Sequence, residues 1–392
     1  MSGERLNSDQ KLFFRTVRDF CTKELLPQID QWEADEYFPD WIFKKAGDLG
    51  IFGAHYAEEH GGSGGDYWWS VAKAEALPHC GAAGITMALL VQSDMATPCI
   101  ADLGTKEQID EFLRPALAGE RIAALGVTEP DAGSDVASIR TIARRVGDEY
   151  VISGAKTYIT NGCRASFVTL LCKTDPQAGH QGISIILLPT DVKGFSMAKK
   201  LKKLGNHCSD TAELAFDECR VPARYLLGEE GQGFYYLMQN FQTERLSAAI
   251  SAVAGAQRTI DLSLSYGRDR KAFGKPIIAR ELWQHEFAEM QTRLEAARQL
   301  SYHAAECYNR ERYEQRTPLS FDTVKKVSMA KLFVGDVVDY ISDRCLQFHG
   351  GMGYMDETFV SRAWRDSRLL RIGGGTSEVM RYHIAKLLGL GR

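Results

Sequence analysis

Apolar residues recur at helical spacing through Leu12, Phe13, Val17, Phe20, Leu25 and Ile29, so the chain opens on a helix with one buried stripe. A second helix is expected from Trp41 to Leu49, stopped by Gly50. A long apolar stretch follows from Tyr67 to Leu103, with small residues at Gly81-Ala-Ala-Gly84 that suit either close helix approach or room for a ligand tail. Thr105 with Gln108 forms a capping-box pattern, and Pro115 is expected to end that helix near Leu113.

From about Ile122 the period changes from helical to alternating. Phe167-Val-Thr-Leu-Leu171, Gly182-Ile-Ser-Ile-Ile-Leu-Leu188 and Thr211-Ala-Glu-Leu-Ala-Phe216 are short, β-rich and bounded by turn residues, which predicts an all-β unit of sandwich or barrel type. From about Gly231 helical periodicity returns. Helices are expected at Phe234–Tyr266, Glu281–Arg310, Asp322–His349 and Thr376–Leu388, enough for a four-helix bundle. The resulting α+β chain divides into an N-terminal helical domain (1–122), a middle β domain (123–228) and a C-terminal helical domain (229–392).

One stretch stands out between these blocks, Gly126 to Gly162. Its first part, Gly126-Val-Thr-Glu-Pro-Asp-Ala-Gly-Ser-Asp135, is a loop rich in turn-formers and small hydroxyls. Val146 to Tyr150 reads as a hairpin around Gly147-Asp148, and regular alternation puts Tyr158 and Thr160 on one strand face. A ring and a hydroxyl on one face suit a flat polar ligand; an ordinary surface hairpin is the plain alternative.

Composition narrows the function classes. The 392 residues are 44% hydrophobic with a net charge of −4, enough for a large core and a poor match to a nucleic-acid partner. No apolar run reaches 18 residues. The stretch Met1 to Leu6 has neither an apolar signal core nor a transit pattern, so a cytoplasmic location is expected, or an organellar matrix after removal of a leader. The nine cysteines form no C-x-x-C pair. Gly231-Gln-Gly233 lacks a third glycine and no P-loop pattern occurs, so a bound dinucleotide would not sit in a Rossmann or P-loop site. Gly61-Gly-Ser-Gly-Gly65, with no following Lys, reads as a turn, and Lys199 to Lys203 as a solvated edge strand.

Five motifs, in order and spacing, carry a resemblance to a known family: Gly126–Gly162, Lys203-Leu-Gly-Asn-His-Cys-Ser-Asp-Thr211, Arg270-Lys-Ala-Phe-Gly274, Gln347-Phe-His-Gly-Gly-Met-Gly353 and Gly373-Gly-Gly-Thr-Ser377. Together they make the chain similar to the acyl-CoA dehydrogenase flavoproteins over nearly its whole length. The resemblance implies FAD, an acyl-CoA substrate, electron-transfer flavoprotein as the electron acceptor, and a homotetramer. It implies flavin contacts from Leu125, Val127, Thr128, Ser134, Tyr158 and Thr160, with Tyr158 standing where tryptophan is commoner. It implies Arg270, Phe273, Gln347 and Gly351 around the pyrophosphate and adenine of a neighbouring subunit's flavin, and Thr376 and Glu378 near the adenosine. Substrate contacts fall to Ser134, Phe241, Arg245 and Gly374.

Members of the family remove an α proton with a carboxylate while a hydride leaves the β carbon. Many carry that glutamate in an E-G-T-S motif, where this chain has Gly374. Isovaleryl-CoA and long-chain members, which it resembles in subgroup along with citronellyl-type enzymes, supply the base from an E-R pair on a bundle helix. The corresponding pair here is Glu244-Arg245, which assigns the base to Glu244. Phe241 and Ala248 flank Glu244 at i−3 and i+4, so it sits beside an apolar stripe; a solvated helix glutamate is the alternative. Gly374 keeps a main-chain N–H, implied to donate to the thioester carbonyl. The resemblance favours a medium-to-long or methyl-branched acyl chain. A flavin oxidase or monooxygenase on the same fold, and a non-catalytic binding relative, remain the other readings.

Overall fold

The computed structural model describes residues 5–390, so residues 1–4 of the N-terminal stretch and residues 391–392 lie outside the described residues. Helix α1 (Ser8–Phe20) begins on Asn7, whose side chain accepts from the N–H groups of Asp9 and Gln10 while Gln10 returns the bond. The stripe that follows is not one continuous helix. Pro27 has no N–H to donate, and the chain passes through a π-helical turn at Cys21–Leu25 and a 3-10 turn at Leu26–Gln28 before α2 (Ile29–Ala34).

Next come α3 (Trp41–Asp48), α4 (Tyr67–Ala76), α5 (Ala83–Leu90), a π-helical turn at Val91–Met95, α6 (Pro98–Leu103) and α7 (Lys106–Gln108), which starts on the expected Thr105–Gln108 capping box. Pro115 does not end the helical segment. A π-helical turn at Ile109–Leu113 leads into α8 (Arg114–Leu117), where Pro115 sits in the first turn, a place where its missing N–H has no partner to lose. The glycine run Gly61–Gly65 is a close-packed turn: a Cβ on Gly62 would lie 2.2 Å from the Tyr56 carbonyl oxygen.

The middle domain carries β1 (Ala123–Gly126), β2 (Ile142–Val146), β3 (Glu149–Thr160), β4 (Phe167–Lys173), β5 (Ile183–Pro189), β6 (Phe195–Lys200), β7 (Thr211–Pro222) and β8 (Leu226–Leu227). They form one eight-stranded sheet in the order β6-β7-β3-β2-β4-β5-β8, with β1 parallel to β4. Its two antiparallel halves meet only at the Ile142–Lys173 bridge. Strands β4 and β5 are buried along almost their whole length, which is why they read as unbroken apolar runs rather than alternating ones. The two-residue turn Gly147-Asp148 joins β2 to β3 as expected. The alternation of β3 does not run through to its end. Two residues of β3 oppose one of β7 between Lys156 and Ile159, and Tyr158 occupies this bulge with φ +61°.

The C-terminal domain is built on α9 (Gly233–Asp269), followed by a short hairpin of β9 (Lys271–Ala272) and β10 (Lys275–Pro276), then α10 (Glu281–Asn309), α11 (Phe321–His349), α12 (Phe359–Ser367) and α13 (Ser377–Leu387). Three helices of 37, 29 and 29 residues form the bundle, and the fourth expected member, α13, has only 11. Helix α12, absent from the periodicity reading, carries its own cap, Thr358. Ala249, Val253, Ile260, Leu294, Val334 and Ile341 form the bundle core. The N-terminal part of α9 also packs on α4 and on the Val91–Met95 turn, so this helix belongs to both helical domains at once.

Candidate active site

A cavity of about 1250 Å³ opens where the three domains meet. That exceeds the roughly 300–1,000 Å³ of an ordinary ligand pocket and leaves room for a cofactor and a substrate together. One wall comes from the β domain: Leu125, Val127, Thr128, Ser134, Tyr158 and Thr160 all line it. Phe241, Glu244 and Arg245 of α9 line the opposite side, and Gly374 and Thr376 close it between α12 and α13. Gly81, Ala82 and Ala83 also border the cavity, whereas a Cβ on Gly84 would stand 3.0 Å from Cys208 Sγ. The small-residue run thus serves both ends suggested for it, room on one side and close packing on the other.

The β wall fits a flat, partly apolar ring system. Leu125, Val127 and Tyr158 offer apolar faces, and Thr128, Ser134 and Thr160 add hydroxyls. Tyr158 is 70% exposed although it borders a cavity, and it holds a left-handed backbone that a bulky residue adopts only under constraint. A single buried ion pair shapes this wall. Lys156 Nζ lies 2.9 Å from Glu129 Oε1 and donates to the Val127 carbonyl at 2.8 Å, while Glu129 accepts from the N–H groups of Arg140 and Thr141. Burial pushes the Glu129 carboxyl up, but Lys156 and these hydrogen bonds outweigh it and hold it below its usual range. Neither residue was singled out in the sequence. The available signal is that Lys156 falls in phase with the inward-facing Tyr150 and Ile152 of β3. Replacing Glu129 with Gln is expected to weaken this loop by about 2 kcal/mol through lost charged hydrogen bonds. The check is the fraction of flavin retained after gel filtration, which should fall well below that of the unaltered protein.

The carboxyl of Glu244 projects toward the glycine turn. A Cβ built on Gly374 would lie 3.1 Å from Glu244 Oε1, so a side chain at either position addresses the same point in the cavity. Burial raises the Glu244 pKa above its usual value, against the opposing charges of Arg245 and Lys331. Gly374 and Gly375 take φ +65° and +101°, conformations that only glycine adopts freely. The turn is held from two helices. Arg245 Nε donates to the Gly374 carbonyl at 3.0 Å, and Lys331 Nζ of α11 donates to the Gly375 carbonyl. Arg245 therefore clamps main chain in this structure, with its guanidinium over the Phe241 ring.

Beneath α9, the Val91–Met95 turn offers the carbonyls of its C-terminal end, which have no intrahelical partner. Thr243 Oγ1 donates to the Asp94 carbonyl at 3.0 Å and Asn240 Nδ2 to the Met95 carbonyl at 2.7 Å. Asp94 is paired with Lys73 at 2.6 Å, both side chains being wholly buried. These bonds fix the α9 turn that carries Glu244.

Five of the residues implied by the resemblance do not line the cavity of their own chain: Arg270, Phe273, Gln347, Gly351 and Glu378. Phe273, at the β9–β10 turn, is 96% exposed, and Arg270, Gln347 and Gly351 are also on the surface. Glu378 is exposed in the first turn of α13, next to the capping residue Thr376. His349, by contrast, is buried in a structural setting, with Nδ1 2.8 Å from the Cys345 carbonyl and its ring stacked on Tyr266. Of the basic run, Lys203 turns inward to the Ser209 carbonyl, while β6 is the exposed sheet edge that was expected.

Comparison with known proteins agrees with this geometry along the whole chain. Residues 7–120, 124–219 and 231–389 match the N-terminal, middle and C-terminal domains of acyl-CoA dehydrogenase. The chain is 36% identical to the mitochondrial long-chain specific acyl-CoA dehydrogenase of Rattus norvegicus, over 97% of this chain and 86% of that protein. It superposes on an acyl-CoA dehydrogenase from Geobacillus kaustophilus with TM-score 0.90 and 38% identity, over 98% of each chain. A glutaryl-CoA dehydrogenase from Mycobacterium smegmatis solved in complex with FADH2 superposes with TM-score 0.90 and 28% identity, over 99% of this chain and 96% of that one. The chain belongs to the acyl-CoA dehydrogenase family, the FAD-dependent oxidoreductases that dehydrogenate acyl-CoA.

Proposed function

We propose that the protein desaturates a medium-to-long or methyl-branched acyl-CoA thioester between its α and β carbons, with Glu244 as the base that takes the α proton. The observation that supports this most is the convergence of the Glu244 carboxyl and the Gly374 main chain on one point of the cavity. The α proton is weakly acidic, so its removal needs a carboxylate in a dry site and donors where enolate charge develops on the thioester oxygen. Glu244 provides the first, and the Gly374 N–H is the donor we assign to the second. FAD, when bound against Tyr158 and Thr160, supplies the acceptor for the β hydride.

The same reading places the exposed Arg270, Phe273, Gln347 and Gly351 against the flavin of a neighbouring copy in a homotetramer, gives Thr376 and Glu378 to the adenosine, and makes electron-transfer flavoprotein the electron acceptor. Among the described residues no helix is long and apolar enough to cross a membrane. An anaerobic titration of the flavin-loaded protein with a panel of acyl-CoA thioesters tests the proposal. Bleaching by saturated chains of medium-to-long or branched type, with slow reoxidation in air, is expected; rapid reoxidation by oxygen would instead identify an oxidase.

A further inference from the structure

Lys331 is an unusual residue for its place. It lies on the buried stripe of α11 with Val327, Val334, Val338 and Ile341, and it is only 2% exposed. No carboxylate stands within ion-pair distance of it among the described residues; its hydrogen bond goes to the Gly375 carbonyl. A buried lysine without a carboxylate partner is costly, so its presence at this point calls for a role.

Building on the proposed base, we infer that Lys331 is a positioning residue of the desaturation site: it locks the glycine turn at the Gly375 carbonyl, as Arg245 does at the Gly374 carbonyl, and lends positive charge that favours the ionised form of Glu244. The turn needs such a lock. Its left-handed residues have no regular backbone ladder, and Arg245 restrains only the Gly374 carbonyl. With Lys331 on the next carbonyl, two successive peptide planes of the turn, those carrying the Gly374 and Gly375 carbonyls, are held from side chains.

The charged and titratable groups around Lys331 come from two of the helices packed on α11. Glu244 and Arg245 belong to α9, and Glu378 and His383 to α13, His383 reaching Ser328 one turn before Lys331. Burial together with Arg245 pulls the Lys331 pKa down to about 8, while Glu244 and Glu378 resist the fall. The ammonium is therefore charged at neutral pH. It is one of two cations opposing the rise that burial imposes on Glu244.

The test is the pH profile of single-turnover flavin bleaching in the flavin-loaded protein. The base must be ionised to act, so activity falls as pH drops through the Glu244 pKa. Removing a nearby positive charge raises that pKa and moves the acid limb toward higher pH. Lys331→Met is expected to shift the limb upward by roughly one unit, the lower end of what a close opposite charge does. It should also weaken affinity for a non-oxidisable thioester analogue. Lys331→Gln keeps a donor for Gly375 without the charge, so it should shift the limb equally yet keep most of the affinity. Lys331→Arg should leave the limb in place. If both neutral variants retain full flavin content and the wild-type acid limb, Lys331 is not coupled to the base and the inference is overturned. Should Lys331→Met not fold, the Gln variant decides alone. An acid limb that survives in Glu244→Gln itself would instead overturn the base assignment.

Discussion

Glu244→Gln retains FAD and binds acyl-CoA, but its turnover drops by ~10²–10⁴-fold, the usual worth of a positioned general base. The amide is nearly isosteric and keeps the packing of α9, yet it cannot accept the α proton. Binding and chemistry should therefore separate: the dissociation constant for a substrate analogue changes little, while the rate of anaerobic bleaching collapses. Near-normal bleaching in this variant would falsify the assignment. Adding Gly374→Glu to Glu244→Gln is expected to return part of the activity, because a Cβ at 374 falls 3.1 Å from the Glu244 oxygen. The recovery should be incomplete. Position 374 holds φ +65°, a conformation that costs a non-glycine residue of order 1–2 kcal/mol, so the added carboxylate arrives on a strained turn. A double variant that folds and binds flavin but stays fully inactive would break the idea that the two positions serve one carbon.

Asp94→Asn is expected to destabilise the protein by about 3–5 kcal/mol, because it leaves the Lys73 ammonium buried without its counter-charge. The two side chains are both 0% exposed and 2.6 Å apart, and Ser70 and Ser93 complete the hydrogen bonding of the carboxylate. Burial alone would push the Asp94 carboxyl up, but Lys73 and these bonds outweigh it and hold its pKa below the ordinary range. The sign follows directly. A carboxyl with a lowered folded-state pKa contributes its full stabilisation above the unfolded value of about 4 and loses it only as the solution is acidified further. Urea unfolding at neutral pH, followed by tryptophan fluorescence, measures the effect; a midpoint equal to that of the unaltered protein would refute it. Replacing both partners with apolar residues, Lys73→Met with Asp94→Leu, should cost much less than either single change, since no lone charge is then buried. The same variants are expected to lower turnover, because the Asp94 carbonyl is the acceptor for Thr243, the residue before Glu244.

Much of this protein is legible from its residues in order. The long periodic stretches specify α9, α10 and α11 to within a few residues, because a helix that buries one face over many turns repeats its apolar signal many times. Buried strands announce themselves in the same local way, as β4 and β5 do. The residues of the cavity wall, from Leu125 to Thr160, and the Glu244–Gly374 pair could also be named, through the resemblance to the family, and they line one cavity. What order alone could not decide is where local rules yield to packing. Pro115 opens a helix instead of ending one, because a π-helical turn precedes it. Tyr158 leaves the alternation of its strand because a bulge against β7 adds a residue. The lysines Lys73, Lys156 and Lys331 fall on buried faces of their own elements, but the groups that satisfy them, Asp94, Glu129 and the Gly375 carbonyl, come from other segments of the chain. Periodicity records which face of an element is buried, and that is settled within one element; the partner that makes a buried charge tolerable comes from another, and only the folded chain supplies it.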